Sequence, residues 1–199
     1  MRYKTLYKKM HEFAPKFIGY KTQGQIMYWV RKMLTSHRVK VNKITDKTNT
    51  CYSAMTIGGF YDPELDFGDR DIEMFVMFRK EDETLIMDEI STKVMIDELF
   101  KTLVHEKRHR YQFKQRGNNF GTVYRVKANI TDEDTLNHMK YYGDPDELDA
   151  YAQEAVIENR LHGESDTKAK YQELFAIADT KVYNRFLKKY YRYGNKIIL

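Results

Sequence analysis

Cysteine is nearly absent. The one such residue, Cys51, has no partner for an internal disulfide, which argues against the stapled folds of small secreted domains. Long apolar runs are missing as well: the best candidates, such as MFVMF at 74–78, fall far short of the roughly 18 residues that cross a bilayer. The opening MRYKTLYKKMHEFAPKF lacks the uninterrupted apolar core of a secretory signal. The expected protein is therefore cytoplasmic and has no membrane partner. Internal repeats and low-complexity tracts are also lacking, which removes solenoid and fibrous classes from consideration.

What is present fits a folded domain. The 199 residues suffice for a single domain with a real core. Hydrophobic residues make up 42% and aromatics 14%, a globular composition despite 32% charged residues. The net charge of +5 is concentrated at the two ends, in RYKTLYKK and RFLKKYYRYGNK. Basic residues interleaved with tyrosines offer phosphate neutralisation and base stacking. No nucleic-acid-binding motif accompanies them, so solvated helix faces are the plainer reading and nucleic acid is not the expected partner.

Periodicity divides the chain. Residues 3–35 read as helical with a break at Pro15 and Gly19; Ile26, Met27, Val30, Met33 and Leu34 mark a buried face. Between 38 and 79, RVKVNKI, CYSAMTIGGFY and DIEMFVMF read as three strands of a small antiparallel sheet. A central helix then starts between Asp88 and Ser91, carries Ile96, Leu99, Phe100 and Leu103 at spacings of three and four, and stops at Gly117. Beyond it, GTVYRVKANI suggests a strand and TDEDTLNHMKYYG a short helix or turn. Asp144, Pro145 and Glu147 open another helix as cap, first residue and third residue. A last helical region spans about 166–193. The expected class is α+β, mainly helical with a small sheet ahead of the central helix.

That helix contains TLVHEKRHRYQF, residues 102–113. His105 and His109 are four apart and project from one helix face, the geometry of two ligands on one metal. Glu106 stands about 100° further round, where a general base would take a proton from water at a metal. His-Glu-x-x-His is a known zinc-peptidase signature. The competing reading is an exposed basic helix laced with salt bridges. Against it, Ile96 and Leu103 place the apolar stripe away from the histidines, so the two faces are separate.

Catalytic zinc usually takes three protein ligands. Positions 112 and 115 are glutamines, so no third histidine follows closely. Glu133, His138, Asp146 and Glu147 remain. Glu147 is favoured because it lies in the first turn of a well-signalled helix whose Ala150 and Ala152 permit close approach; its alternative role is a capping-box glutamate. Gln112, one turn past His109, either bonds a ligand or faces solvent. Tyr141, Tyr142 and Tyr151 are candidate donors to an oxyanion.

His105-Glu106-x-x-His109 followed by a separate helix with Glu147-x-x-Ala150 resembles the minimal gluzincin peptidases, including the ImmA/IrrE-like group and small phage-type metallopeptidases. The likeness covers about residues 70–160. It implies one zincin-like domain over 1–199 with its core at about 38–160, and zinc held by His105, His109 and Glu147. It also implies Glu106 as general base and a protein or peptide substrate, cut as by an endopeptidase. By the same analogy DIEMFVMF would border the cleft and pair with an extended substrate. A phage origin would place the protein in the host cytoplasm or the virion. The rival reading is a non-catalytic binding or virion structural protein on a metallopeptidase core. One departure stands out: position 151 is Tyr, where larger gluzincins carry an aspartate, so the second partners of the histidines are unassigned.

Overall fold

The computed structural model describes residues 3–46, 54–64, 70–119, 121, 132–163, 171 and 180–197. The architecture is α+β and mainly helical, as the patterning implies. The chain divides into two compact units, 1–107 and 108–199, and the boundary falls inside one long helix.

The first unit begins with α1 (Tyr3–His11) and α2 (Ala14–Phe17), then β1 (Gly19–Thr22) and α3 (Gln23–Leu34). Thr22 and Gln25 close a reciprocal capping box at the start of α3, each side chain bonding the other's backbone. Ile26, Met27, Val30, Met33 and Leu34 are all buried, the face that the spacing marks. A 3₁₀ turn (Thr35–His37) and left-handed Arg38 lead into β2 (Val39–Asp46), followed by β3 (Met55–Tyr61), β4 (Ile72–Arg79) and β5 (Thr84–Met87). The long helix α4 spans Glu89–Gln115. Its start is set by Asp88 and Ser91, whose side chains bond each other's backbone N–H groups.

Three strands form a sheet in the order β2-β4-β3. The expected antiparallel pairing holds for β3 with β4, whereas β2 runs parallel to β4, so the sheet is mixed. β4 is the middle strand with both edges bonded, so DIEMFVMF has no edge to offer a peptide, contrary to the expectation from resemblance. Its Ile72, Met74, Val76 and Phe78 are buried in strict alternation. The β1 strand pairs antiparallel with β5 in a separate two-stranded ribbon, a pairing that local periodicity does not disclose.

Burial along α4 departs from a one-sided stripe. Met95, Ile96, Leu99, Phe100, Leu103 and Val104 are buried, but so are Asp97, Lys101, His105 and Glu106. Each buried charge requires compensation. Asp97 accepts from Tyr7 Oη and pairs with His11 Nε2, both at 3.0 Å, and binds Lys93 Nζ at 2.6 Å. Burial, and secondarily the Asp97 charge, push the Tyr7 phenol well above its ordinary pKa and keep it a donor. The basic N-terminal helix is thus tied to α4 through Asp97, with Leu6 and Met10 buried beneath it.

The second unit continues from the last turns of α4 to α5 (Glu133–Gly143), α6 (Pro145–His162) and α7 (Thr180–Gly194). Val182, Phe186 and Tyr190 recur every fourth residue on α7 and are buried; Asn159 of α6 donates to Tyr190 Oη at 2.6 Å. Within the C-terminal basic run, Arg185, Lys188 and Arg192 face outward on an amphipathic helix, whereas Lys189 turns to the buried Asp149. The suggested strand GTVYRVKANI, apart from Gly121, lies outside the described residues, as do Cys51 and most of 164–179.

Gly59 of β3 provides a test of the sheet–helix packing. A Cβ there would stand 2.9 Å from Thr102 Cγ2, 3.1 Å from the Glu73 carbonyl oxygen and 3.2 Å from Glu106 Cγ. Gly59→Ala is expected to destabilise the protein by about 1–3 kcal/mol through overpacking. Gly24→Ala, in the first turn of α3 with only Thr22 Oγ1 at 3.8 Å, should be neutral or stabilise by up to about 1 kcal/mol. Urea unfolding midpoints of the two variants measure the contrast; equal midpoints would refute the packing assignment.

Candidate metal centre

His105, Glu106 and His109 occupy consecutive turns near the end of α4. The helix continues for less than two turns more and ends at Gly117, whose φ of 65° is the left-handed conformation of a C-terminal stop. Both His105 and Glu106 are buried and His109 half-buried. An exposed basic helix does not describe this segment. Glu106 lies against Gly59 of β3, the strand that the missing side chain lets come close.

Glu147 is brought in by the start of α6. Asp144 caps that helix, accepting from the N–H groups of Asp146 at 2.7 Å and Glu147 at 3.4 Å, and Pro145 opens it. The backbone N–H of Asp144 donates to the Tyr141 carbonyl at 3.1 Å, where a capping box would direct it to the Glu147 carboxylate. Asp144 performs the capping and Glu147 turns elsewhere: one carboxylate oxygen lies 3.5 Å from His109 Nε2. Ala150 and Ala152 are fully buried behind it.

Ligand atoms of His105, His109 and Glu147 all lie within 4.8 Å of one another. Two imidazoles and a carboxylate, borderline nitrogen and hard oxygen together, are a donor set that could hold a divalent metal ion. The ring of His109 tests the fit. Its Nδ1 is 3.1 Å from Gln112 Oε1, an acceptor, so Nδ1 carries the proton of that bond, and Nε2 is left facing a Glu147 oxygen at 3.5 Å. A ring nitrogen and a carboxylate oxygen set face to face could share a cation. The residues fit the metal.

Tyrosines surround the carboxylate. Tyr141 bonds Glu147, and its Oη lies 3.3 Å from Tyr151 Oη. Burial first, then the Glu147 charge, push the Tyr141 phenol far above its ordinary pKa, and Tyr142 is raised for the same two reasons. Tyr151 is raised mainly by burial. All three remain protonated donors. Of the three oxyanion candidates, Tyr141 is bonded to the proposed ligand itself.

The other candidates for the third ligand are placed differently. Asp146 is held in a two-pronged pair by Arg116. Glu133 and His138 on α5 are exposed, and the His138 ring lies near that of Tyr142. Among the described residues, the histidine–glutamate trio is the group that converges. Residues beyond the motif also enter. Asp149, buried two positions past Glu147, bonds Arg108, Gln112, Lys189 and Tyr193. Burial pushes its carboxyl upward, but Lys189 and Arg108 overcome that and hold it below the usual range. Its only sequence signal is a second acid in DELD, which does not separate it from a solvated charge.

No protein-family model matches the chain, and no curated protein or solved structure matches it either.

Proposed function

We propose that this protein is a zinc-dependent peptide hydrolase in which His105, His109 and Glu147 hold the metal and Glu106 is the general base. The observation that carries this reading is the approach of the three ligand groups to within 4.8 Å of one another, with Glu106 one residue past the first of them. When bound, zinc would supply Lewis acidity, making a water molecule more acidic and polarising the scissile carbonyl. The chain's own residues do the remainder. Glu106, buried beside Gly59, accepts the proton as the oxygen attacks the carbonyl carbon. It then delivers that proton to the departing amine nitrogen as the C–N bond breaks. The Tyr141 hydroxyl, whose hydrogen bond is donated to Glu147, steadies that carboxylate as a ligand.

The substrate strand is assigned to β3. It is an edge strand of its sheet among the described residues, and through Gly59 it runs beside Glu106. An extended peptide adding to that edge gains main-chain hydrogen bonds irrespective of its side chains, which suits hydrolysis within a chain.

Glu106→Gln is expected to retain stoichiometric zinc and lose about 10²–10⁴-fold in turnover, the range for removal of a general base. His109→Ala should lose metal and turnover together. Metal analysis beside cleavage of a peptide library measures both; full activity in purified Glu106→Gln protein would overturn the role of Glu106. Native protein that binds zinc without cleaving any peptide would instead indicate a binding role for the same centre.

Zinc that binds only the folded state also stabilises it. At a free concentration 100 times its dissociation constant the gain is about 2.7 kcal/mol. Thermal unfolding should show a midpoint raised by zinc in the native protein and unmoved in Glu147→Ala. An equal rise in both would exclude Glu147 as a ligand.

A further inference from the structure

Gln112 is buried on the same helix as His109, and all its polar groups are engaged. Its Nε2 donates to the Asp146 carbonyl at 3.1 Å and to Asp149 Oδ2 at 3.2 Å. Both partners are pure acceptors, so the amide cannot be reversed without setting oxygen against oxygen. That fixes Oε1 on the other side, 3.1 Å from His109 Nδ1. The consequence is chemical: His109 is held with a proton on Nδ1 toward Oε1, and Nε2 is turned to Glu147.

Asp149 is itself fixed from several sides. Arg108 Nε approaches Oδ2 at 2.5 Å, Lys189 Nζ binds Oδ1 at 2.7 Å, and the Tyr193 hydroxyl lies 3.0 Å from each oxygen. Lys189 and Tyr193 are four residues apart on α7 and share a face. The chain of contacts therefore runs from the C-terminal helix through a buried carboxylate and an amide to one imidazole.

Resting on the metal reading above, we propose that Gln112 is the positioning residue for His109 and that α7, through Lys189, Tyr193 and Asp149, sets the orientation of its amide. A carboxylate that merely satisfied buried cations would need no amide aimed at the ring. The arrangement makes metal affinity depend on residues some 80 positions from the histidine motif, in a stretch that charge alone marks as solvated surface.

The test reads His109 directly in metal-free protein. Long-range ¹H–¹⁵N correlation spectra report which ring nitrogen carries the proton, and competition with a chromophoric chelator gives zinc affinity. Gln112→Leu is expected to abolish the preference for the Nδ1–H form and to weaken zinc binding about 10–100-fold. Lys189→Met combined with Tyr193→Phe should shift both readouts in the direction of Gln112→Leu, by less. A His109 ring unchanged in Gln112→Leu overturns the role of Gln112, and one unchanged in the α7 pair overturns the role of that helix. Should Gln112→Leu fail to fold, the α7 pair decides, because a His109 ring and a zinc affinity both unchanged there contradict the proposal. Native protein that binds no zinc, yet shows the Nδ1–H form that Gln112→Leu removes, would uphold the positioning role and refute the metal reading.

Discussion

His109 Nε2 and a Glu147 oxygen face each other at 3.5 Å, a contact that a proton on the ring or a shared cation between the two groups makes favourable. Much of the second unit is explained by what maintains it. Asp144 caps α6 and so releases Glu147 from the duty that its position in the first turn would otherwise give it. Gln112 holds the imidazole by its other nitrogen. Asp149 holds Gln112, and its own burial is made tolerable by Arg108 and Lys189.

The first unit solves a similar problem at Asp97, which lies on the same helix and is almost fully buried. Its partners Tyr7 and His11 come from α1, and Lys93 comes from the preceding turn of α4. Directional bonds of this kind fix which face of α1 meets α4, whereas apolar contacts through Leu6 and Met10 would tolerate rotation. The close approach of β3 is governed by the opposite device, an absence. Gly59 has no Cβ to strike Thr102 or Glu106, so the sheet edge and the proposed base can lie side by side.

What the sequence discloses follows from the range of the interactions. The His105–Glu106–His109 arrangement is legible because helix geometry converts a spacing of four into a shared face without tertiary information. The start of α6 is legible for the same reason: Asp144, Pro145 and the acids after them are local chemistry. The alternation of Ile72, Met74, Val76 and Phe78 marks one buried face of β4, but not its neighbours. Parallel pairing with β2 joins residues 33 apart at Val39 and Ile72, and β1 meets β5 across more than 60 positions. No periodicity within either strand encodes such partners. Burial around α4 was legible only on its apolar side, because Asp97 and Lys101 look like solvent-facing charges until their partners are known. Asp149 was hidden by the same ambiguity.

The choice of an amide rather than a carboxylate behind His109 has an electrostatic rationale. In the proposed centre, the carboxylates of Glu147 and Glu106 would balance the charge of a divalent cation. A carboxylate bonded directly to Nδ1 would add a third charge, raise the basicity of the ring and reduce the Lewis acidity available to a substrate carbonyl. Gln112 supplies the acceptor without the charge. Asp149 stands one step further back, and its charge is countered by Arg108 and Lys189, so orientation is transmitted to the imidazole while little of the aspartate's field is. An aspartate bonded straight to the ring would couple the two. Separating them would leave the acidity of a metal in the proposed centre to be set by its own ligands, with the position of the ring set by the helices behind it.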